Sequence, residues 1–176
     1  MARLPILDRG ASPAVDEAYA QVERLGRPVL NLYRVLANQP PALAAFLEMS
    51  RYVRDSSSLD PSLRELVILA TAHQLDQQYE VAHHTAAATR VGVPATKIAA
   101  AGRTGSASDL SPAEACAVDF ARQVAKTRTC DDLLFRKLEA HFSPPEIVDL
   151  VVTTAWYQLC AVILSSLKVE LEVPEK

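Results

Sequence analysis

The sequence predicts an all-α fold, and three observations support this prediction. Ser or Asp stands directly before Pro at several well-spaced places, which is typical of helix starts. No segment shows the alternation of apolar and polar residues that marks a half-buried β-strand. Of the 176 residues, 49% are hydrophobic, which is enough to bury a sizeable core. We therefore expect about seven to eight helices in a single domain spanning residues 1–176.

Proline and capping residues mark the predicted helices of the first half of the chain. Ser12-Pro13 predicts a helix that runs to about Leu25. The next predicted segments are a short helix from Pro28 to Leu36, a helix from Pro41 to about Arg54, and a helix that opens at Asp60-Pro61.

The helix that opens at Pro61 has two interpretations. It either runs unbroken to Arg90 or is interrupted at Leu75-Asp76-Gln77-Gln78, where the apolar pattern fails. In the second case Asp76 caps a new helix that starts near Gln77. Both interpretations keep Glu80 and His84 on one helix.

Turns and capping boxes divide the second half. Gly92-Val93-Pro94 and Gly102 to Asp109 are predicted turns or loops. Ser-Pro-x-Glu occurs at residues 111–114 and 143–146, and in each case the Ser and the Glu can satisfy one another's backbone N–H groups. Between these two helix starts, residues 131–141 predict a shorter helix.

Charge and hydropathy exclude two function classes. The net charge is −3, the pI is about 5.8, and no basic run occurs, so we expect no nucleic-acid partner. The most apolar stretch, Ile147 to Leu167, contains Asp149 and Gln158, and we expect no membrane span. The first ten residues lack the apolar region of a signal peptide, so we expect a cytoplasmic protein.

The cysteines indicate neither disulfides nor zinc. Cys116, Cys130 and Cys160 are odd in number, far apart, and not arranged as Cys-x-x-Cys. We expect reduced thiols in or near the core, and Cys130 is the least certain because it falls just before a helix start.

Three residues form the candidate site. Glu65 is an acid near the start of an apolar helix, and Glu80 stands four residues before His84. Side chains at i and i+4 lie on the same face of a helix, so Glu80 and His84 can share a proton as an acid/base unit. The alternatives are a structural helix pair, and for Glu65 a partner such as Arg64, Arg90 or a neighbouring subunit.

The chain resembles the carboxymuconolactone decarboxylase and alkylhydroperoxidase D-like superfamily. Arg64-Glu65-Leu66 opening an apolar helix, then Tyr79-Glu80-x-x-x-His84, then Gly92-Val93-Pro94 carry this resemblance, and the later helices from residues 111 and 143 extend it. The resemblance implies a compact multi-helix fold and self-association as a trimer or hexamer.

The resemblance also separates two chemistries. Peroxidase members carry Cys-x-x-Cys-x-x-x-His, and their cysteine positions fall on Gln77 and Glu80 here. Decarboxylase members carry Glu-x-x-x-His, which Glu80 and His84 match. The resemblance therefore implies acid/base chemistry on a small carboxylated lactone or related unsaturated acid, as in aromatic catabolism, with no cofactor and no metal.

The implied site has His84 as proton donor or acceptor, Glu80 orienting it or exchanging protons with it, and Glu65 as a second relay member. Tyr79, His83 and Arg64 are candidate substrate-binding residues, although Arg64 can equally be solvated and His83 structural. We expect Glu80 and His84 to face a pocket near a subunit boundary. Two other functions stay open: an antioxidant peroxidase using another thiol, and a non-catalytic, ligand-binding relative.

Overall fold

The chain is all-α, as predicted. The computed structural model describes residues 2–102 and 105–172, and over that part it contains nine α-helices and no β-strand. The helices are α1 (Pro13–Arg24), α2 (Asn31–Leu36), α3 (Pro40–Arg51), α4 (Pro61–Gln74), α5 (Gln78–Arg90), α6 (Ala95–Ala101), α7 (Pro112–Thr127), α8 (Asp132–Glu139) and α9 (Pro144–Leu167).

The described residues form two compact units. One unit comprises Met1–Asp55 and Ile163–Lys176, where α1 and α2 both pack on α3. The other is Ser56–Val162, in which α4 packs against α5, α6 and α7. The expectation of a single domain stays a prediction. Every residue of the candidate site belongs to the second unit.

Helix α4 is the buried centre of the second unit. The Asp60 carboxylate caps its start by accepting hydrogen bonds from the backbone N–H groups of Ser62 at 2.8 Å and Leu63 at 3.2 Å. Its middle is apolar on all sides, and the five residues from Leu66 to Ala70 are completely buried. A helix with this pattern lies inside a fold rather than on its surface, which takes Glu65 into the core with it.

The chain breaks between α4 and α5, so the second interpretation of this region is confirmed. Asp76 adopts a left-handed conformation with φ of 52°, and the N–H of Gln77 bonds the Ala72 carbonyl at 2.9 Å. This Schellman arrangement closes α4. The predicted capping residue was wrong, because Asp76 ends α4 and the Gln77 side chain caps α5 by accepting from the Tyr79 N–H at 3.3 Å.

The second half follows its start signals closely. At α7 the Ser111 N–H donates to the Glu114 carboxylate at 2.7 Å and the Glu114 N–H to the Ser111 hydroxyl at 3.3 Å, so this capping box is confirmed. At α9 the Glu146 carboxylate accepts from both the N–H and the hydroxyl of Ser143.

Several boundaries differ from the predictions. Helix α2 begins at Asn31 rather than Pro28, and α3 ends at Arg51, where a single π-helical turn, Tyr52–Ser56, follows. Helix α6 was not predicted, although Pro94 and the alanine-rich segment after it favour a helix. Within the predicted loop from Gly102 to Asp109, Ala107–Asp109 form a 3-10 turn, and residues 103 and 104 lie outside the described residues.

Helix α9 bears on the expectation of no membrane span, which stays a prediction. It is 24 residues long and is apolar enough to cross a membrane by length and composition. However, 56% of its most apolar window is buried inside the protein. This degree of burial is typical of the core helix of a globular fold.

Candidate functional site

An imidazole between two carboxylates forms the candidate site. His84 Nδ1 lies 2.6 Å from Glu65 Oε2 on α4, and His84 Nε2 lies 3.3 Å from Glu80 Oε2, one turn earlier on α5. All three residues are buried, with exposed fractions of 3% for Glu65, 5% for Glu80 and 3% for His84. Glu65 therefore contacts one ring nitrogen of His84, and Glu80 contacts the other. We call these residues the triad.

The local folding explains how the triad forms. Glu80 and His84 share a face of α5 because they are four residues apart. Glu65 reaches them because the left-handed turn at Asp76 ends α4 and lets α5 pack back against it. An unbroken helix would separate Glu65 from His84 by about 28 Å along its axis, at 1.5 Å per residue.

The surroundings of His84 favour its protonated form. Burial by itself lowers the pKa of the imidazole, but hydrogen bonds to Glu65 and Glu80 and the charges of these carboxylates outweigh it. The pKa of His84 is therefore raised above its ordinary value of 6.5. An imidazolium in this position can donate a proton, and the two carboxylates hold the ring in a fixed orientation.

Tyr157 on α9 contacts the imidazole. Its ring meets the His84 ring edge-on, with centroids 4.8 Å apart and an interplanar angle of 87°. Tyr157 was not among the residues predicted to form the site. The sequence offers no signal for this contact, because the two residues are far apart in the chain and the aromatic residues of an apolar helix are expected to pack in the core.

The three candidate substrate-binding residues lie beside the triad. Tyr79 and His83 pack on one another on α5, with ring centroids 4.6 Å apart, about 100° around the helix from Glu80 and His84. Arg64 precedes Glu65, and its Nε is buried with no hydrogen-bond partner. Substrate binding by these three residues stays a prediction.

One cavity outlined by the described residues does not lie at the triad. It has a volume of about 180 Å³ and is lined by Ala100, Gly105, Ala107, Leu110, Ala115, Asp119 and Arg122. None of the triad residues contributes to it. The predicted pocket at Glu80 and His84 therefore stays a prediction, and the side chains of the triad are closed off from solvent in the single chain.

The cysteines are not placed for redox chemistry. Cys116 and Cys160 are buried, and burial raises the pKa of the Cys116 and Cys130 thiols, which disfavours the reactive thiolate. Over the described ranges, no group of three or more His, Cys, Asp or Glu side chains is arranged to hold a metal ion.

Comparisons with known proteins agree with this fold. Residues 40–123, which contain the whole triad, match the Carboxymuconolactone decarboxylase family. No curated protein matches the sequence significantly. Several solved structures share the fold.

An alkylhydroperoxidase AhpD core protein from Ralstonia eutropha JMP134, described as an uncharacterized peroxidase-related protein, is 21% identical, with a TM-score of 0.81 over 99% of this chain and 98% of that one. A peroxidase-related protein from Silicibacter sp. TM1040 is 18% identical, with a TM-score of 0.82 over 97% and 90%. The debrominase Bmp8 is 18% identical, with a TM-score of 0.81 over 95% and 90%. These likenesses show the fold.

Proposed function

We propose that this chain is a member of the carboxymuconolactone decarboxylase and alkylhydroperoxidase D-like superfamily and a cofactor-free carboxy-lyase acting on a small carboxylated lactone or a related unsaturated acid. The observation that carries the proposal is the buried imidazole of His84 bonded between the carboxylates of Glu65 and Glu80. Decarboxylation of an unsaturated lactone needs a positioned proton donor, and this is what the triad can supply.

The proposed step is redox-neutral. The bond between the ring carbon and the carboxylate breaks, CO2 leaves, and the electron pair is delocalised into the unsaturated lactone. Protonated His84 then delivers its proton to carbon, and the neutral imidazole is reprotonated from solvent. Glu65 and Glu80 stabilise the imidazolium and hold its ring in a fixed orientation.

Charge sets a condition on the substrate's position. Two ionised carboxylates and one imidazolium leave the triad with a net charge of −1, which repels a substrate carboxylate placed beside it. Arg64, next to Glu65, is the candidate counter-charge. Its buried Nε has no hydrogen-bond partner, and its N–H would donate to a carboxylate oxygen of the substrate.

Access to the triad requires motion. Because 5% or less of each triad residue is exposed, a substrate reaches His84 only if a neighbouring side chain or helix moves. Exclusion of water after such a closure would protect the carbanion-like intermediate until His84 protonates it.

The two alternative functions have less support. A thiol peroxidase needs a reactive thiolate, but Gln77 and Glu80 occupy the redox positions and the thiols of Cys116 and Cys130 are shifted towards their protonated forms. A non-catalytic relative is compatible with the buried triad, and it predicts that changes to His84 affect stability alone.

The test is CO2 release from carboxymuconolactone by the purified full-length chain and two variants. We expect Glu80→Gln and His84→Gln to lower turnover by roughly 100-fold or more, because each removes part of the acid/base unit. His141→Gln, which removes an exposed histidine outside the site, is the matched control and should retain most of the activity. No turnover by the unmodified chain, or equal turnover in all variants, would refute the proposed function.

A further inference from the structure

Two threonine hydroxyls on α9 are buried without a partner. Thr153 is 1% exposed and Thr154 is completely buried. Neither hydroxyl makes a hydrogen bond within the protein. A buried hydroxyl that gives up its bonds to water without replacing them is unfavourable, so such a pair needs an explanation.

Other threonines in this chain show the arrangement that Thr153 and Thr154 do not adopt. A helical threonine can donate its hydroxyl to the carbonyl four residues earlier. Thr71 does so at 2.8 Å, Thr89 at 2.9 Å and Thr127 at 2.8 Å. Thr71 is the closest match, because it is also completely buried in a core helix. The Thr153 and Thr154 hydroxyls do not make this bond.

The position of the two threonines points to the triad. Thr153 and Thr154 lie four and three residues before Tyr157, within about 60° of it around α9 and about 6 Å along it. Tyr157 in turn contacts the imidazole of His84. The unpartnered hydroxyls are therefore about one helical turn from the ring that contacts the proposed proton donor.

We propose that Thr153 and Thr154 are substrate-positioning residues whose hydroxyls donate hydrogen bonds to a carboxylate or carbonyl oxygen of a small organic acid bound at the triad. The inference rests on the proposed function in one respect, namely that a ligand of this class binds beside His84. Hydroxyls suit this role because they orient an oxygen without adding a further charge to a buried site that already holds two carboxylates.

The experiment measures binding of 2-furoate, a flat five-membered oxygen ring with a carboxylate, separately from turnover. Trp156, the single tryptophan of the chain, lies between Thr154 and Tyr157 in sequence and supplies a fluorescence signal for the titration. The variants are Thr153→Val, Thr154→Val and Thr153→Ser. Thr71→Val is the matched control, because its hydroxyl is bonded to the Val67 carbonyl.

If the proposal is correct, Thr153→Val or Thr154→Val weakens 2-furoate binding by roughly tenfold or more, since each removes a hydrogen bond to a charged group. Thr71→Val should bind 2-furoate as tightly as the unmodified chain does. Thr153→Ser keeps the hydroxyl and should retain most of the affinity that Thr153→Val loses. With a substrate that turns over, KM should rise with kcat nearly unchanged. Circular dichroism checks that each valine variant is folded.

The outcomes separate this proposal from the proposed function. If the unmodified chain binds 2-furoate but releases no CO2 from carboxymuconolactone, the lyase fails while the valine variants still decide the role of the threonines. Equal affinity in all folded variants would overturn the proposal and leave buried water as the partner of these hydroxyls. Absence of 2-furoate binding by the unmodified chain would also overturn it.

Discussion

His84 is held on both sides, and this determines its electrostatics. A single carboxylate would fix one ring nitrogen, whereas Glu65 at Nδ1 and Glu80 at Nε2 leave neither nitrogen without an anionic neighbour. Both nitrogens carry a proton in imidazolium, so the charged form satisfies both contacts at once. This is the physical reason why the pKa of His84 rises despite complete burial.

The raised pKa of His84 predicts a pH dependence of stability. A group with a higher pKa in the folded than in the unfolded state stabilises the fold fully below its unfolded value, about 6.5. That contribution is lost as pH rises through the folded pKa. We therefore expect the unfolding free energy of the unmodified chain to fall relative to His84→Gln as pH increases above about 6.5.

Urea unfolding of both proteins between about pH 5.5 and 9 measures this difference. His141→Gln removes an exposed histidine from the same fold and serves as the control. If the unfolding free energy of the unmodified chain stays constant or rises relative to that of His84→Gln as pH increases, the result would contradict a charge-assisted triad.

At the cysteines we expect little functional effect of substitution. Replacing Cys116, Cys130 or Cys160 singly with Ala or Ser should leave any native activity largely intact. None of the three lies at Gln77 or Glu80, the positions that correspond to the cysteines of the peroxidase members. Peroxide consumption with a dithiol reductant is the measurement. Robust turnover that disappears in Cys130→Ser would restore the peroxidase interpretation.

At the scale of elements, the turn between α4 and α5 creates the site. The turn needs one residue at positive φ. Asp76 adopts this conformation, which is less favourable for it than for glycine. We expect Asp76→Gly to raise the unfolding free energy by up to about 1 kcal/mol and Asp76→Val to lower it by about 1–2 kcal/mol. Thermal and urea unfolding measure both.

The matched control for this turn is Ala82→Gly, at an exposed position inside α5. There, glycine should destabilise the protein by about 1 kcal/mol, opposite in sign to Asp76→Gly. If Asp76→Gly and Ala82→Gly both lower the unfolding free energy, the positive φ of Asp76 is not the feature that ends α4.

The element boundaries show what the sequence can predict. Local signals act over three or four residues, so Asp60-Pro61 and the Ser111–Glu114 capping box predicted helix starts correctly. The break near Asp76 was predicted only as one of two interpretations, because Asp favours a helix start while its left-handed conformation here ends one. Helix α6 is seven residues long and was missed.

The sequence likewise predicted the parts of the site that depend on local spacing. The spacing of Glu80 and His84 is local and follows from helical geometry. Glu65 was a candidate because an acid in an apolar helix is unusual, but its bond to Nδ1 depends on how α5 packs on α4. The contact of Tyr157 and the unpartnered threonines come from α9, and no local pattern predicts them.

At the scale of the whole molecule, we expect self-association as a trimer or hexamer. Four exposed apolar residues, Val148, Val151, Leu159 and Val162, recur at helical spacing along α9. No charged residue occurs from Leu150 to Leu167, so this surface suits a second copy of the chain better than water.

Light scattering at micromolar concentration tests the assembly. Paired changes of Val151 and Leu159 to Glu should lower the measured mass, and Arg136→Glu, on exposed α8, is the control that should not. A monomeric mass for the unmodified chain would refute self-association.

In the proposed reaction the triad delivers a proton to carbon as CO2 leaves. The most direct measurement is turnover of carboxymuconolactone in D2O, followed by mass spectrometry of the product and quantification of CO2. We predict one CO2 released and one deuterium incorporated at a ring carbon of the lactone per turnover, and a rate roughly 100-fold or more lower in His84→Gln. An unchanged rate in folded His84→Gln, or no CO2 release by the unmodified chain, would contradict the account.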